Sequence, residues 1–180
     1  GEDAGGETYR PGSGHVCFRV SDIDELSRRL TEAGYPPRSP APVTIAWDDF
    51  ETGGWSGGAG WLYPWNRSGE SAIVTTGTPY QGTYHLRLRG SSGYADRALN
   101  LSGSSSVRLQ FWAKASSFEP GEFANLSVSP NGTTWTTVRT WVDGDDDGVY
   151  RFEDIDLSSF TMSTEFWVAF DAEKSSTGDL

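Results

Sequence analysis

The densest run of chemistry-bearing residues is Asp143-Gly144-Asp145-Asp146-Asp147-Gly148, followed by Asp154. Carboxylates at alternate positions, a glycine at the sixth and an acid at the twelfth match the loop pattern that wraps a calcium ion. Asp143, Asp145, Asp147 and Asp154 are therefore the candidate ligands of a structural Ca2+. Position twelve carries Asp rather than the longer, bidentate Glu, and the flanking residues read as strands rather than helices. Acids this close repel one another unless water or a cation intervenes. A solvated acidic hairpin loop is the competing reading.

Aromatic residues form the second set. In the segment Val107–Lys114, Val107, Leu109, Phe111 and Ala113 alternate with Arg108, Gln110, Trp112 and Lys114. Around Phe166, Val168 and Phe170, the opposite face carries Glu165, Trp167 and Ala169. Trp112 and Trp167 thus fall on polar faces, as do His85, Arg87, Arg89 and Arg108. Flat aromatics beside polar donors suit sugar rings, whose C–H faces stack while their hydroxyls hydrogen-bond. Trp112, Trp167, Arg87, Arg108 and His85 are the candidate ligand platform. The alternative is that arginine stacks on tryptophan, or that a helix covers this face. Trp55, Trp61, Tyr63 and Trp65 cluster in a Gly-rich loop, where they either rim a ligand site or plug one end of the fold.

Catalytic sets are sparse. The chain has two histidines and one cysteine, and it carries no G-x-S-x-G, H-E-x-x-H or phosphate-loop motif. Cys17 sits in the mostly apolar run His15–Val20 and reads as a small buried residue; alone, it forms no intrachain disulfide. No enzyme activity is expected.

The elements that must position these residues are mostly strands. Strand patterns appear at Val43–Trp47, Tyr84–Arg89, Val107–Lys114, Ala124–Val128, Trp135–Val142 and Phe166–Phe170. Ser129-Pro130-Asn131-Gly132 is a hairpin turn signal between two of them. The one strongly helical segment has Ile23, Leu26 and Leu30 at helical spacing, capped by Ser21 or Asp22 and closed by Gly34. Pro36, Pro37, Pro40 and Pro42 make a stiff connector. The expected fold is mainly β, an antiparallel jelly-roll β-sandwich with one short N-terminal helix. Residues 1–45 are expected to form a Gly-rich lead-in plus a strand-helix-strand piece, and residues 46–180 the sandwich.

Composition narrows the function. The 180 residues carry 14 Lys+Arg against 25 Asp+Glu, a net charge of −11. Residues 46–180 hold 18 of those acids and nine of the bases, so the acidity lies mostly in the sandwich. A phosphate-backbone binder needs a dense basic surface, which excludes nucleic acid as the expected partner. No apolar run approaches the length of about 20 residues that spans a membrane. Aromatics at 13% argue against disorder. Sequons at Asn66, Asn100, Asn125 and Asn131 are compatible with an extracellular surface.

Several runs together carry a resemblance: Asp48-Asp49-Phe50-Glu51, Trp55, Gly77-Thr78-Pro79-Tyr80-Gln81-Gly82-Thr83-Tyr84-His85-Leu86-Arg87-Leu88 and Phe111-Trp112. They continue in Ser127-Val128-Ser129, Gly132-Thr133-Thr134-Trp135, Asp154-Ile155-Asp156-Leu157-Ser158 and Ser175-Ser176-Thr177-Gly178-Asp179. Over about residues 46–180 the chain resembles the jelly-roll accessory modules of secreted bacterial hydrolases and cell-surface proteins, which are similar to MAM domains and carbohydrate-binding modules. The resemblance implies a calcium site near Asp48, Asp49 and Glu51; a merely wet strand face carrying Asp49 and Glu51 is the other reading. It also implies a final strand after Asp179, so the sandwich is expected to lack one strand, and the chain's ends read as cut.

Residues 14–45, through His15-Val16-Cys17-Phe18-Arg19-Val20-Ser21-Asp22-Ile23-Asp24, resemble part of a βαβββ unit of the vicinal oxygen chelate (glyoxalase/dioxygenase) superfamily, in which His15 would be a metal ligand. The expectation is a non-catalytic extracellular or cell-surface binding and adhesion module, stabilised by calcium, with a polysaccharide or glycoprotein glycan as partner. The alternatives are a structural module completed by strand exchange with neighbouring copies, and a remnant of a metal-dependent glyoxalase-like protein.

Overall fold

The computed structural model describes residues 43–173. All of these except Val43 lie in the second of the two units into which the chain divides, residues 44–180. The expected N-terminal helix, His15, Cys17 and the glyoxalase-like segment lie outside the described residues.

Seven strands run in chain order: β1 (Asn66–Val74), β2 (His85–Leu99), β3 (Arg108–Ala113), β4 (Phe123–Ser129), β5 (Thr136–Val142), β6 (Arg151–Asp156) and β7 (Phe166–Glu173). They form a five-stranded sheet in the order β1-β2-β7-β4-β5 and a two-stranded sheet, β3-β6. Every strand pair is antiparallel. The chain crosses between the sheets after β2, β3, β5 and β6. The described residues contain no helix.

Alternation decides which faces meet. Phe166 and Val168 of β7 and Leu126 and Val128 of β4 are buried, and they join Leu99, Leu101, Trp141 and Leu157 in one core. Val107, Leu109, Phe111, Ala113 and Ile155 pack onto this core from the other sheet. The two inner faces therefore close on each other as a β-sandwich. Burying a side chain such as Phe166, at 0% exposure, stabilises the fold by roughly 1.5–3 kcal/mol.

Three segments depart from expectation. β1 has no alternating pattern in its sequence, and Gly69 adopts a positive φ of 59° within it. It is a strand because β2 pairs with it, a tertiary cause that its own residues do not announce. β2 runs on past Arg89 to Leu99 through a register shift opposite Ser68 and Glu70, so one long strand stands where a short one was expected. The expected strand at Val43–Trp47 is not formed: Trp47 makes only an isolated bridge to Ala59. The chain passes so close there that a Cβ on Gly58 (φ +72°) would lie 1.9 Å from the Trp47 carbonyl oxygen. That contact fits a looped crossing and leaves no ladder for a strand to join.

Candidate functional site

The outer face of the two-stranded sheet is built from register. β3 and β6 pair Arg108 with Asp156, Gln110 with Asp154, and Trp112 with Phe152. These residues alternate with the core-facing Leu109, Phe111 and Ile155, so their side chains project outward. One end of the face is aromatic and the other polar, about 13 Å apart along β3 at strand rise.

At the aromatic end Tyr80 stacks on Trp112 with ring centroids 4.0 Å apart and planes within 12°. Phe152 flanks Trp112 at 5.5 Å, and Tyr150 meets Tyr80 edge-on at 5.5 Å. Trp112 is 42% exposed and Phe152 51%. Burying such rings inside would have stabilised the fold, so an exposed cluster of them is a candidate binding surface. At the polar end Arg108 Nε donates to Asp154 Oδ1 at 2.7 Å. Its guanidinium also lies 3.5 Å from Asp156. Hydrogen bonding to Arg108 holds the Asp154 carboxyl below the usual carboxylate range.

Tyr80 belongs to the loop between β1 and β2, and that loop is pinned from two sides. The Glu51 carboxylate accepts hydrogen bonds from the backbone amides of Thr83 (2.9 Å) and Tyr84 (2.9 Å). Those amide bonds lower the Glu51 pKa. Lys114 Nζ donates to the carbonyls of Gly77 and Thr78, and it sits 4.7 Å over the Tyr150 ring. Sequence reasoning missed Tyr80, Tyr150 and Phe152. Only the pairing of β3 with β6 and the return of the β1–β2 loop bring them to Trp112.

His85 and Arg87 lie in the hairpin arm formed by β1 and the start of β2. Arg87 reaches Thr76 in the same loop. Burial, then the charges of Lys114 and Arg87, lower the His85 pKa, and its Nδ1 is buried without a hydrogen-bond partner. His85 feels the charge of Lys114, which pins the Tyr80 loop, and Arg87 reaches that loop at Thr76.

Trp167 does not join them. It alternates with Phe166 and Val168 on β7, so it projects from the outer face of the five-stranded sheet, on the opposite side of the sandwich. The expected single platform is therefore divided: Trp112 and Arg108 share one face, His85 and Arg87 flank it, and Trp167 stands on the other. The alternation of each strand is evident in sequence, but which sheet each strand joins is not.

The acidic loop also differs from expectation. Asp147 forms a two-pronged ion pair with Arg151, one contact at 2.7 Å, and accepts the Val149 amide at 3.1 Å. Its carboxyl is lowered to about 2, first by the Arg151 hydrogen bond and then by that amide. Asp145 accepts the Val142 amide, and Asp146 accepts the amides of Gly144 and Phe118. Asp154 points at Arg108. Among the described residues no group of three or more His, Cys, Asp or Glu converges as metal ligands. Asp143, Asp145, Asp147 and Asp154 do not converge here: Asp145 takes a backbone amide, Asp147 takes Arg151 and an amide, and Asp154 takes Arg108.

The region of Asp48, Asp49 and Glu51 is a turn, with Phe50 at φ +62°, rather than a strand face. Asp48 is buried against Arg97, with Nη1 2.6 Å from Oδ2 and side chains only 5% (Arg97) and 2% (Asp48) exposed. Trp65 Nε1 donates to the same oxygen at 2.9 Å, and Arg97 lies over the rings of Trp61 and Trp65. Trp65 packs on Phe50, Trp61 and Phe170. Trp61 and Trp65 therefore plug the core. Trp55 stacks under Arg67, and Tyr63 turns outward onto Trp167.

No family model matches the chain, and no curated protein matches it. Solved structures do. One, on the promiscuous specificity of carbohydrate-binding modules from the beta-sandwich super family, superposes with a TM-score of 0.50 at 12% identity, over 78% of this chain and 59% of that one. TmCBM61, solved in complex with beta-1,4-galactotriose, gives 0.47 at 20% identity, over 70% and 83%. The C-terminal family 22 carbohydrate binding module of Clostridium thermocellum Xyn10B gives 0.36 at 15%, over 67% and 97%. At these identities the likeness is one of fold, a β-sandwich. Nothing found matches the expected MAM-like character.

Proposed function

We propose that this chain is a non-catalytic glycan-binding module of an extracellular or cell-surface protein, and that the outer face of β3 and β6 is its platform. The carrying observation is the contiguous exposed cluster of Tyr80, Trp112 and Phe152, continued along the same strands by Gln110, Asp154 and Arg108. The rings take the C–H faces of sugars, and the polar end takes hydroxyls. Glu51 and Lys114 position the Tyr80 loop beforehand, which reduces the ordering cost of binding. A net charge of −11 disfavours acidic glycans and favours a neutral polysaccharide. The β-sandwich fold shared with carbohydrate-binding modules agrees with this reading.

The test is affinity electrophoresis against neutral polysaccharides. Trp112→Ala weakens retention by about tenfold or more, the scale of one lost aromatic contact, with the melting temperature within a few degrees of wild type. Undiminished retention contradicts the platform.

A second reading rests on the two-stranded sheet. Among the described residues β3 and β6 pair only with each other, so each leaves a long edge for an added strand from a neighbouring copy. That reading requires oligomers whose population rises with concentration in light scattering, and a monomer at all concentrations removes it.

A further inference from the structure

The opposite side of the sandwich carries the same chemistry a second time. On the outer face of the five-stranded sheet Tyr63, 49% exposed, stacks on Trp167 with centroids 6.1 Å apart and planes within 27°. Glu165 beside the Tyr63 hydroxyl pushes its pKa up. The β4–β5 turn backs this stack closely: a Cβ on Gly132 would lie 2.9 Å from Trp167 Nε1. Trp167 is in register with Ala98 and Ser129, and its outward neighbour along β7 is Ala169. These three small side chains are buried, so the exposed part of this region is the Tyr63–Trp167 stack itself.

Polar side chains follow on two neighbouring rungs: Asp96 and Ser127 are level with Ala169, and Tyr94, Asp171 and Asn125 lie one rung on; Asp96 itself is buried. Asn66 of β1 donates to Asp96 of β2 at 2.7 Å. Tyr94 of β2 is in register with Asp171 of β7, which accepts from Asn125 of β4 at 3.2 Å. Thr140 of β5 donates to Asn125 at 2.8 Å, and Ser127 meets Thr137 at 3.1 Å. Five strands at sheet spacing span about 19 Å, room for several sugar rings. Asp96 is buried, and the half-buried Asn125 and Asp171 and the exposed Thr140 hold one another in place, which reduces the ordering cost of meeting sugar hydroxyls.

We propose that this face is a second site for a neutral polysaccharide chain, so that one domain grips two chains on opposite sides and bridges them. The bridging rests on the reading of the Trp112 face given above. The second site rests on its own residues.

The test uses the full chain with galactan, xylan, mannan and a soluble glucan, reading both retardation in affinity electrophoresis and turbidity of the mixture. Wild type is retarded by at least one polysaccharide and clouds it, with turbidity falling again when protein is in excess. Trp112→Ala and Tyr63→Ala are each retarded less than wild type, through the one remaining site, and lose the turbidity, and the double variant loses both. Tyr63→Ala keeps the backbone carbonyl that accepts Arg97 Nε, so its fold is preserved; Trp167→Ala is the second variant at this site. Wild-type turbidity in both Tyr63→Ala and Trp167→Ala overturns the second site and leaves the first standing. Loss of all retardation in Tyr63→Ala, with Trp112→Ala unaffected, overturns bridging and moves binding to this face alone. No retardation of wild type by any of the polysaccharides overturns both.

Discussion

Glu51 shows how a single residue was half legible. Its place in an acidic triplet drew attention to cation binding, yet its carboxylate bonds the amides of Thr83 and Tyr84 and so holds the loop that delivers Tyr80. Those contacts are 32 and 33 residues away in sequence, and no spacing rule signals them. The sign of the pH effect follows from the lowered pKa. A carboxyl whose folded pKa lies below its unfolded value contributes fully above the unfolded value and is lost as pH falls through the folded one. Glycan retention therefore holds as the solution is acidified through the ordinary glutamate range and falls only below it. Glu51→Ala, by freeing the loop, lowers retention at neutral pH without abolishing folding, and the difference from wild type closes once pH falls through the lowered Glu51 pKa. A retention profile already dropping near the ordinary glutamate pKa contradicts the clamp. Trp112, by contrast, was fully legible, because strict alternation along β3 fixes its face once Leu109 and Phe111 are assigned to the core.

At the scale of elements, the clearest strands in sequence are those with alternating apolar residues and a marked turn. β3, β4, β5 and the start of β7 are of this kind, and the turn at Asn131 is built as its residues imply: Asn131 Oδ1 accepts the amides of Thr133 and Thr134. β1 and the second half of β2 were not legible, since their pairing depends on each other and on β7. The β5–β6 loop carries a strong local motif whose acids find partners within the chain. Arg151 and Arg108 supply the positive charge that a cation would have supplied to Asp147 and Asp154. The melting temperature is thus expected to stay unchanged when calcium replaces chelator. A rise that disappears in Asp145→Ala contradicts this and restores the ion site.

For the molecule as a whole, sequence established a β-sandwich and an acidic composition, and of the aromatic cluster on β3 and β6 it placed Trp112 alone. It did not establish how the strands divide between sheets, which is why one expected platform became two opposed faces. The sandwich also depends on a buried ion pair that composition does not reveal. Arg97 projects inward from β2 and meets Asp48, the Tyr63 and Gly57 carbonyls and two indole rings. Removing one partner of such a pair leaves a buried, uncompensated charge. Arg97→Ala accordingly lowers unfolding free energy by about 3–5 kcal/mol in denaturant titration, whereas Arg108→Ala, on the surface, changes it far less. Equal losses in the two variants would contradict the assignment of Arg97 to the interior.

The central claim is that glycan meets the Trp112 face. The most direct measurement is a two-dimensional NMR titration of the full chain with oligosaccharides of the polysaccharide that retards it most. The account predicts that the Trp112 indole N–H, the Gln110 side-chain amide and the backbone amides around Tyr80 and Phe152 shift together in a saturable manner. Saturable shifts confined to residues away from β3, β6 and the Tyr80 loop would contradict it.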